Sequence, residues 1–360
     1  MKHIAFFISD ISSTGGTERI SFLVANYLQN LGYKVSFLTL NKKNNELFFP
    51  LNENINIHLI REQKKSHFGD LLKIRRVFKK NNFDVVIDVD SVLTPYTFLS
   101  KFGLKKTKHI VWEHFNAAIN LGIKRRDLGR YLGARYADRC VVLTQEDKQQ
   151  WQSKFSAENV TVIYNPVTTQ YSEFPILFKP GKKKIILGVG RLAEQKGFDL
   201  LLKSWCELSP SIRAQAVLHI AGDGVDKQKL VDYVAHHNLE SNVKFLGHCS
   251  NITEIYKNSY AYVLSSRFEG FVLSLLEAMA SGLPVVSYDC PCGPKELLST
   301  EYGLLVEKNN VSALAAALEK IITETDLRDQ FALKAFERSF DFTPDAILPQ
   351  WSKLLGELYE

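Results

Sequence analysis

The stretch Ser265–Val286 reads SSRFEGFVLSLLEAMASGLPVV. The apolar run Tyr260–Leu264 before it predicts a strand that ends in this polar loop. Leu273, Leu276 and Ala280, with Leu275 and Met279 beside them, then recur at helical spacing, and Gly282 and Pro284 stop the helix before a second apolar strand. The arrangement aims the backbone amides of Gly270, Phe271, Val272 and Leu273, and a positive helix end, at whatever lies beyond the first strand, which favours an anion such as phosphate. Glu269 lies in the loop and Glu277 on the helix. A carboxylate beside a phosphate repels it but accepts hydrogen bonds from sugar hydroxyls. The pattern therefore points to a ligand with hydroxyls at both ends and phosphate between them.

Working outward, strand and helix patterns alternate along the chain. Strands are predicted at Lys2–Ile8, Tyr33–Leu40, Ile55–Ile60, Phe83–Val89, Lys108–Glu113, Arg139–Leu143 and Val160–Tyr164, then at Ile185–Val189, Ala216–Ala221, Val243–Leu246, Tyr260–Leu264 and Pro284–Tyr288. Such alternation implies α/β architecture with doubly wound parallel sheets. The Pro, Gly and Lys-rich segment FPILFKPGKKK, Phe174–Lys184, divides the two series. It sets a first domain at 1–173 and a second at 174–343. A terminal amphipathic helix, Ala346–Tyr359 within 344–360, is expected to return to the first domain through Leu348, Trp351, Leu354, Leu355 and Leu358.

A chain of 360 residues is long enough for two such cores. No apolar run approaches the roughly 18 residues of a membrane span, and IAFFI near the N-terminus is read as a buried strand rather than a signal core. Five cysteines without CxxC pairing fit a reducing, cytoplasmic setting. The net charge is +6, yet residues 61–139 alone hold 18 Lys and Arg against 8 Asp and Glu. In that region Leu71, Ile74 and Phe78 line one face of a helix whose other faces carry Lys73, Arg75, Arg76, Lys79 and Lys80, and a second basic helix covers Lys124–Arg139. These faces are either solvated surface or a contact for the anionic inner face of a membrane or an anionic acceptor. No zinc-finger spacing, RRM signature or basic-region heptad supports nucleic acid.

The motifs GRLAEQKGFDLLL (Gly190–Leu202), AGDG (Ala221–Gly224), VKFLGH (Val243–His248) and FEGFVLSLLEAMASGLPVV (Phe268–Val286) resemble, in order and spacing, the donor half of the retaining glycosyltransferases of family four. GGTER (Gly15–Arg19), Glu113-His114, ADRCVVLT (Ala137–Thr144) and YNPV (Tyr164–Val167) match the other half more loosely. The resemblance implies the GT-B fold, two Rossmann-like doubly wound domains facing each other across a cleft that holds a nucleotide sugar. It implies that Arg191 and Lys196 bind the diphosphate, Glu277 the ribose and Glu269 the transferred sugar. The amides of residues 270–273 would complete the grip and Gly247-His248 would meet the base, with UDP preferred. Two cations can neutralise the leaving diphosphate without a metal or other cofactor. Val272 replaces a second glycine of many relatives, which alters the pocket wall. Gly15 and Gly16 match a loop that approaches the diphosphate; taken alone, glycines before a helix fit a tight turn as well as an anion site. His114 matches a histidine near the reacting carbon, with a purely structural role as the competitor. Asn165 lies either at the mouth of a strand on the acceptor side or in a turn before Pro166.

Asp88-Val89-Asp90 spells DxD, a metal motif of a different glycosyltransferase fold, but it closes a strand in the wrong domain. Asp90 is kept as an acceptor-side candidate, and the paired Cys290 and Cys292 supply too few ligands for zinc. The expected reaction moves a hexose or N-acetylhexosamine from a UDP-sugar to a glycan hydroxyl, on a lipid-linked or lipopolysaccharide acceptor, with retention. The leaving diphosphate would take the acceptor's proton. A UDP-sugar epimerase and a non-catalytic nucleotide-sugar binding protein are the alternatives. An NAD oxidoreductase is disfavoured because no GxGxxG follows the first strand.

Overall fold

The computed structural model describes residues 2–61, 67–104, 106–120, 122–169, 171–172, 175, 183–249 and 251–359. The segment 174–184, expected as a linker, lies mostly outside the described residues. Contacts divide the chain into two compact units: Met1–Pro166 together with Pro344–Glu360, and Val167–Thr343.

The first unit is built on a seven-stranded sheet. Its strands are β1 (His3–Asp10), β2 (Lys34–Asn41), β3 (Asn56–Leu59), β4 (Val85–Val89), β5 (Lys108–Trp112), β6 (Arg139–Val142) and β7 (Val160–Val162), in the order β3-β2-β1-β4-β5-β6-β7. Every pairing is parallel. A parallel sheet is covered on both faces, so its central strands are continuous apolar runs. Accordingly β1 and β4 are buried almost throughout. The helices are α1 (Gly16–Asn30), α2 (His67–Asn81), α3 (Thr94–Lys101), α4 (Lys124–Tyr136) and α5 (Gln145–Phe155).

The second unit has a six-stranded parallel sheet, in the order β10-β9-β8-β11-β12-β13. These strands are β8 (Lys184–Val189), β9 (Ala216–Ala221), β10 (Val243–Gly247), β11 (Ala261–Leu264), β12 (Val285–Asp289) and β13 (Gly303–Glu307). Its helices are α6 (Phe198–Glu207), α7 (Pro210–Gln215), α8 (Lys227–His236), α9 (Ile252–Lys257), α10 (Leu273–Ala280), α11 (Pro294–Leu297), α12 (Val311–Thr323) and α13 (Thr325–Ser339). Helix α10 is buried nearly all round, not on one stripe, because it is covered by α13 as well as by the sheet.

The last helix, α14 (Pro344–Glu357), belongs to the first unit. Its Leu348, Trp351, Leu354 and Leu355 are buried, and the Trp351 ring meets Trp112 of β5 at 4.4 Å. Beyond it Tyr359 donates to the Asp84 carbonyl at 3.0 Å, while the Lys2 ammonium lies 3.4 Å from the Tyr359 ring centre.

Candidate functional site

In a doubly wound sheet, ligands bind at the carboxyl ends of the strands where the strand order reverses. In the second unit that point lies between β8 and β11. The loop after β8 carries Arg191 and Lys196, and the loop after β11 carries Glu269. The two loops are stitched together. Lys196 Nζ donates to Glu269 Oε1 at 2.6 Å, Ser266 Oγ donates to the same oxygen at 2.6 Å, and Ser265 Oγ donates to the Lys196 carbonyl at 3.0 Å. Gly197 makes the close approach feasible: its φ is +62°, and a Cβ there would stand 2.0 Å from the Ser265 carbonyl oxygen. Glu269 is buried and Lys196 partly so, whereas Arg191 is exposed and forms no ion pair with a described residue.

Glu277, on α10, is also buried. Its Oε1 accepts from Thr168 Oγ1 at 2.7 Å and its Oε2 from Tyr256 Oη at 3.2 Å. These two hydroxyls orient the carboxylate from both of its oxygens. Of the four amides expected to grip a ligand, that of Leu273 donates to the Phe271 carbonyl at 3.1 Å and is not open. Val272 is buried, and its Cγ2 fills the space in which a Cβ on Gly293 (φ +140°) would lie 2.8 Å away. The larger residue at 272 is thus matched by a glycine on the facing loop. Gly247 has φ +68°, its carbonyl accepts from the Gly222 amide at 2.8 Å, and the adjacent His248 is exposed.

The first unit holds its own group of polar side chains at the carboxyl edge. Gly15 is the extended N-cap of α1, φ −79° and ψ 167°, so no left-handed turn is made there. A Cβ on it would lie 2.6 Å from Glu18 Oε2, so the glycine leaves room for a carboxylate over the helix start. Gly16, the first helical residue, is exposed.

Both aspartates of the DxD sequence have protein partners. Asp88 accepts from Thr97 Oγ1 and pairs with His109 Nε2 at 2.7 Å. Asp90, at φ +87°, accepts from Arg126 Nη2 at 2.8 Å and from the Val92 amide at 3.0 Å. Next to them a fully buried pair joins Arg130 Nε to Glu113 Oε2 at 2.8 Å. Ser91 Oγ and the Phe115 amide add further bonds to Glu113, at 2.6 and 3.0 Å. Burial pushes the Glu113 carboxyl up, and Arg130 opposes it.

His114 is buried with its ring 4.5 Å from that of Trp112, and burial lowers its pKa to about 4. It is therefore a neutral imidazole near pH 7. Its Nε2 and the Asn165 Oδ1 are buried without a hydrogen-bond partner. Unpaired buried polar atoms are costly, and here they follow β5 and β7, at the edge where a ligand is expected.

Residues 14–171 match the model of Glycosyltransferase Family 4, and residues 170–338 that of the Glycosyl transferases group 1. An uncharacterized glycosyltransferase of Haemophilus influenzae is 35% identical over 360 residues, which is 99% of this chain and 100% of that protein. The chain belongs to the family 4 glycosyltransferases. A second relative is the GalNAc-alpha-(1->4)-GalNAc-alpha-(1->3)-diNAcBac-PP-undecaprenol alpha-1,4-N-acetyl-D-galactosaminyltransferase of Campylobacter jejuni, 28% identical over 366 residues and 99% of each chain. Among solved structures, that of a mutant of S. aureus TarM in complex with UDP, alpha-GlcNAc-glycerol and fondaparinux superimposes with a TM-score of 0.82 at 17% identity, covering 98% of this chain and 99% of that one. The fold of this glycosyltransferase is GT-B.

The glycosyltransferase motifs locate Arg191, Lys196, Glu269 and Glu277, but not what orients them. Thr168 lies 109 residues from Glu277 in sequence and Tyr256 lies 21 away. Neither belongs to a local pattern. Arg130 and Ser91, the partners of Glu113, were equally hidden, although Glu113 itself stands beside His114 in a matched dipeptide.

Proposed function

We propose that this glycosyltransferase moves a hexose or N-acetylhexosamine from a UDP-sugar to a hydroxyl of a lipid-linked glycan, with retention, in the assembly of a cell-surface polysaccharide or lipopolysaccharide. The observation that carries this reading is the Lys196–Glu269 pair at the β8/β11 switch point. It sets a cation for a diphosphate beside a carboxylate for sugar hydroxyls, and Glu277 on the neighbouring helix provides a second acceptor for the ribose. The UDP in the TarM complex and the undecaprenol-linked substrate in the name of the Campylobacter relative support the choice of donor and acceptor.

In the proposed mechanism Arg191 and Lys196 neutralise charge as UDP departs, the role a metal plays elsewhere. Glu269 orients the sugar. The neutral His114 offers a hydrogen bond to a hydroxyl rather than a positive charge. No side chain is assigned as a covalent nucleophile. The acceptor hydroxyl attacks from the side the diphosphate leaves, and the diphosphate oxygen takes its proton.

The outer surface of the first unit supports a lipid-linked acceptor. Helix α3 packs beside both α2 and α4; these helices expose Phe68, Leu72, Leu99, Leu128 and Tyr131, and Phe102 is exposed just past the end of α3. Arg76, Lys79, Lys80 and Lys124 are exposed on the same helices. Apolar side chains interspersed with cations suit the interface of an anionic bilayer. Flotation with anionic vesicles at low salt, reduced at high salt, is expected; binding to no vesicle under any condition removes the membrane from the proposal.

The reaction is tested by incubating the protein with a panel of UDP- and GDP-sugars, with and without prenyl-diphosphate-linked saccharides, and following released nucleotide and the anomer formed. Acceptor-dependent release of UDP with an unchanged anomer is expected. Donor isomerisation without acceptor would instead identify an epimerase, and saturable binding without turnover a binding protein.

A further inference from the structure

Three segments at the carboxyl edge of the first unit's sheet converge on one phenol. Arg61 follows β3, Tyr96 opens α3 after β4, and Arg125 opens α4 after β5. The Tyr96 side chain is buried against β1, with its ring 6.4 Å from that of Phe7, so it lies where the strand order reverses between β1 and β4. Its hydroxyl oxygen accepts from Arg125 Nη1 at 2.8 Å and from Arg61 Nη2 at 3.3 Å. Two guanidinium groups thus share one hydroxyl oxygen.

Their charges are not balanced. Asp70 neutralises Arg61, accepting from Nη2 at 2.6 Å and from Nε at 2.9 Å. Arg125 has no carboxylate partner among the described residues. Its guanidinium lies 5.1 Å from the Tyr96 ring centre, and its Nε–H is buried without an acceptor. The neighbouring Arg126 is already committed to Asp90. A buried guanidinium N–H left unpaired beside a second guanidinium is unfavourable unless an anion completes the group. The planar fork of arginine matches phosphate oxygens. These cations are also separate from Arg191 and Lys196, which belong to the other unit.

We infer that Arg61, Tyr96 and Arg125 form a diphosphate-binding subsite for the acceptor. The inference rests on the transferase reading for the identity of that acceptor, but its test reads binding and not turnover. Inorganic pyrophosphate is titrated into the full-length protein saturated with UDP, so that the donor's own diphosphate cations are occupied. Wild type should show one saturable site. Arg125→Gln should weaken it at least about tenfold and Tyr96→Phe several-fold, with thermal unfolding unchanged for the milder Tyr96→Phe.

Geranyl diphosphate should compete at that site, as a soluble stand-in for a prenyl-linked acceptor. The absence of a UDP-insensitive pyrophosphate site, or a site indifferent to both substitutions, overturns the inference. Competition by phosphatidylglycerol vesicles without competition by geranyl diphosphate also overturns it, since it assigns the cluster to a lipid headgroup. If UDP itself fails to bind wild type, the functional reading fails instead, and the two failures are told apart in one titration series.

Discussion

Replacing Glu269 by Gln should separate nucleotide binding from sugar transfer. Glu269 Oε1 receives Lys196 Nζ and Ser266 Oγ, each at 2.6 Å, and the carboxylate is buried. At that separation and an effective dielectric near 20, the gross attraction is about 6 kcal/mol. Lys196 recovers most of this when it pairs with a phosphate. The net penalty that UDP must overcome to recruit Lys196 is then about 1 to 2 kcal/mol, so Glu269→Gln should tighten UDP about five- to thirtyfold. Ser266 can still donate to the amide oxygen, so the loop should hold. Transfer should move the other way. Losing charge-assisted bonds to the sugar removes about 1.5 to 3 kcal/mol of transition-state stabilisation, a ten- to hundredfold fall in kcat/KM. Calorimetric titration of UDP and steady-state assays on the same preparation provide both numbers. UDP binding that weakens in a variant with unchanged thermal unfolding would refute the reasoning, because Glu269 would then be part of the nucleotide's own site.

Other perturbations probe the frame around the site. Gly197→Ala forces a left-handed residue onto the Ser265 carbonyl and should cost at least about 3 kcal/mol in urea unfolding, whereas Gly356→Ala, with open space around it in α14, should be neutral or stabilising by up to about 1 kcal/mol. His114 has a folded pKa of about 4, below the 6.5 of an unperturbed histidine, so the unfolded chain binds its proton first as the pH falls. Wild type should therefore lose about 2 kcal/mol relative to His114→Gln between pH 7.5 and pH 5, and a constant difference would contradict the burial of a neutral ring. Asp147 is shifted the opposite way, raised by burial to about 7 while it accepts the Ala117 amide at 2.7 Å. Its ionised form burdens the fold as pH rises from about 4 to 7. Asp147→Asn should thus be more stable than wild type by roughly 2 to 4 kcal/mol at pH 8 and similar to it near pH 4, by denaturant titration.

The sequence was most legible where a local pattern reports a local structure. Apolar runs located all seven strands of the first sheet, most plainly β1 and β4, which are buried almost throughout, whereas the edge strand β3 is exposed or half-buried along its length. Strand β13, GLLVE, was missed: it is an edge strand whose middle residues are only half-buried. Helix α5 was missed for the opposite reason. QEDKQQWQSKF has almost no apolar period, and the helix is held by the Thr144 cap and by Trp151 in the core. In the site, the motifs fixed which residues face the carboxyl edges. The partners that set their geometry, Thr168 and Tyr256 for Glu277 and Arg130 for Glu113, are brought in by the topology and have no spacing of their own to read. The Arg61–Tyr96–Arg125 cluster is of the same kind, drawn from the loop after β3 and the first turns of α3 and α4.

The central claim is that the second unit holds a nucleotide with Glu277 on its ribose, and a ligand change matched to a side-chain change tests it most directly. UDP and 2′,3′-dideoxy-UDP are titrated calorimetrically into wild type and Glu277→Gln, a substitution that keeps the side-chain shape and leaves one oxygen for Thr168 or Tyr256, while the other hydroxyl can accept from the new amide NH2. UDP should bind the variant about tenfold or more weakly than wild type, and the dideoxy ligand should bind both equally, since the hydroxyls that Glu277 accepts from are gone. Equal losses for the two ligands, or no loss for either, would contradict the placement of the donor.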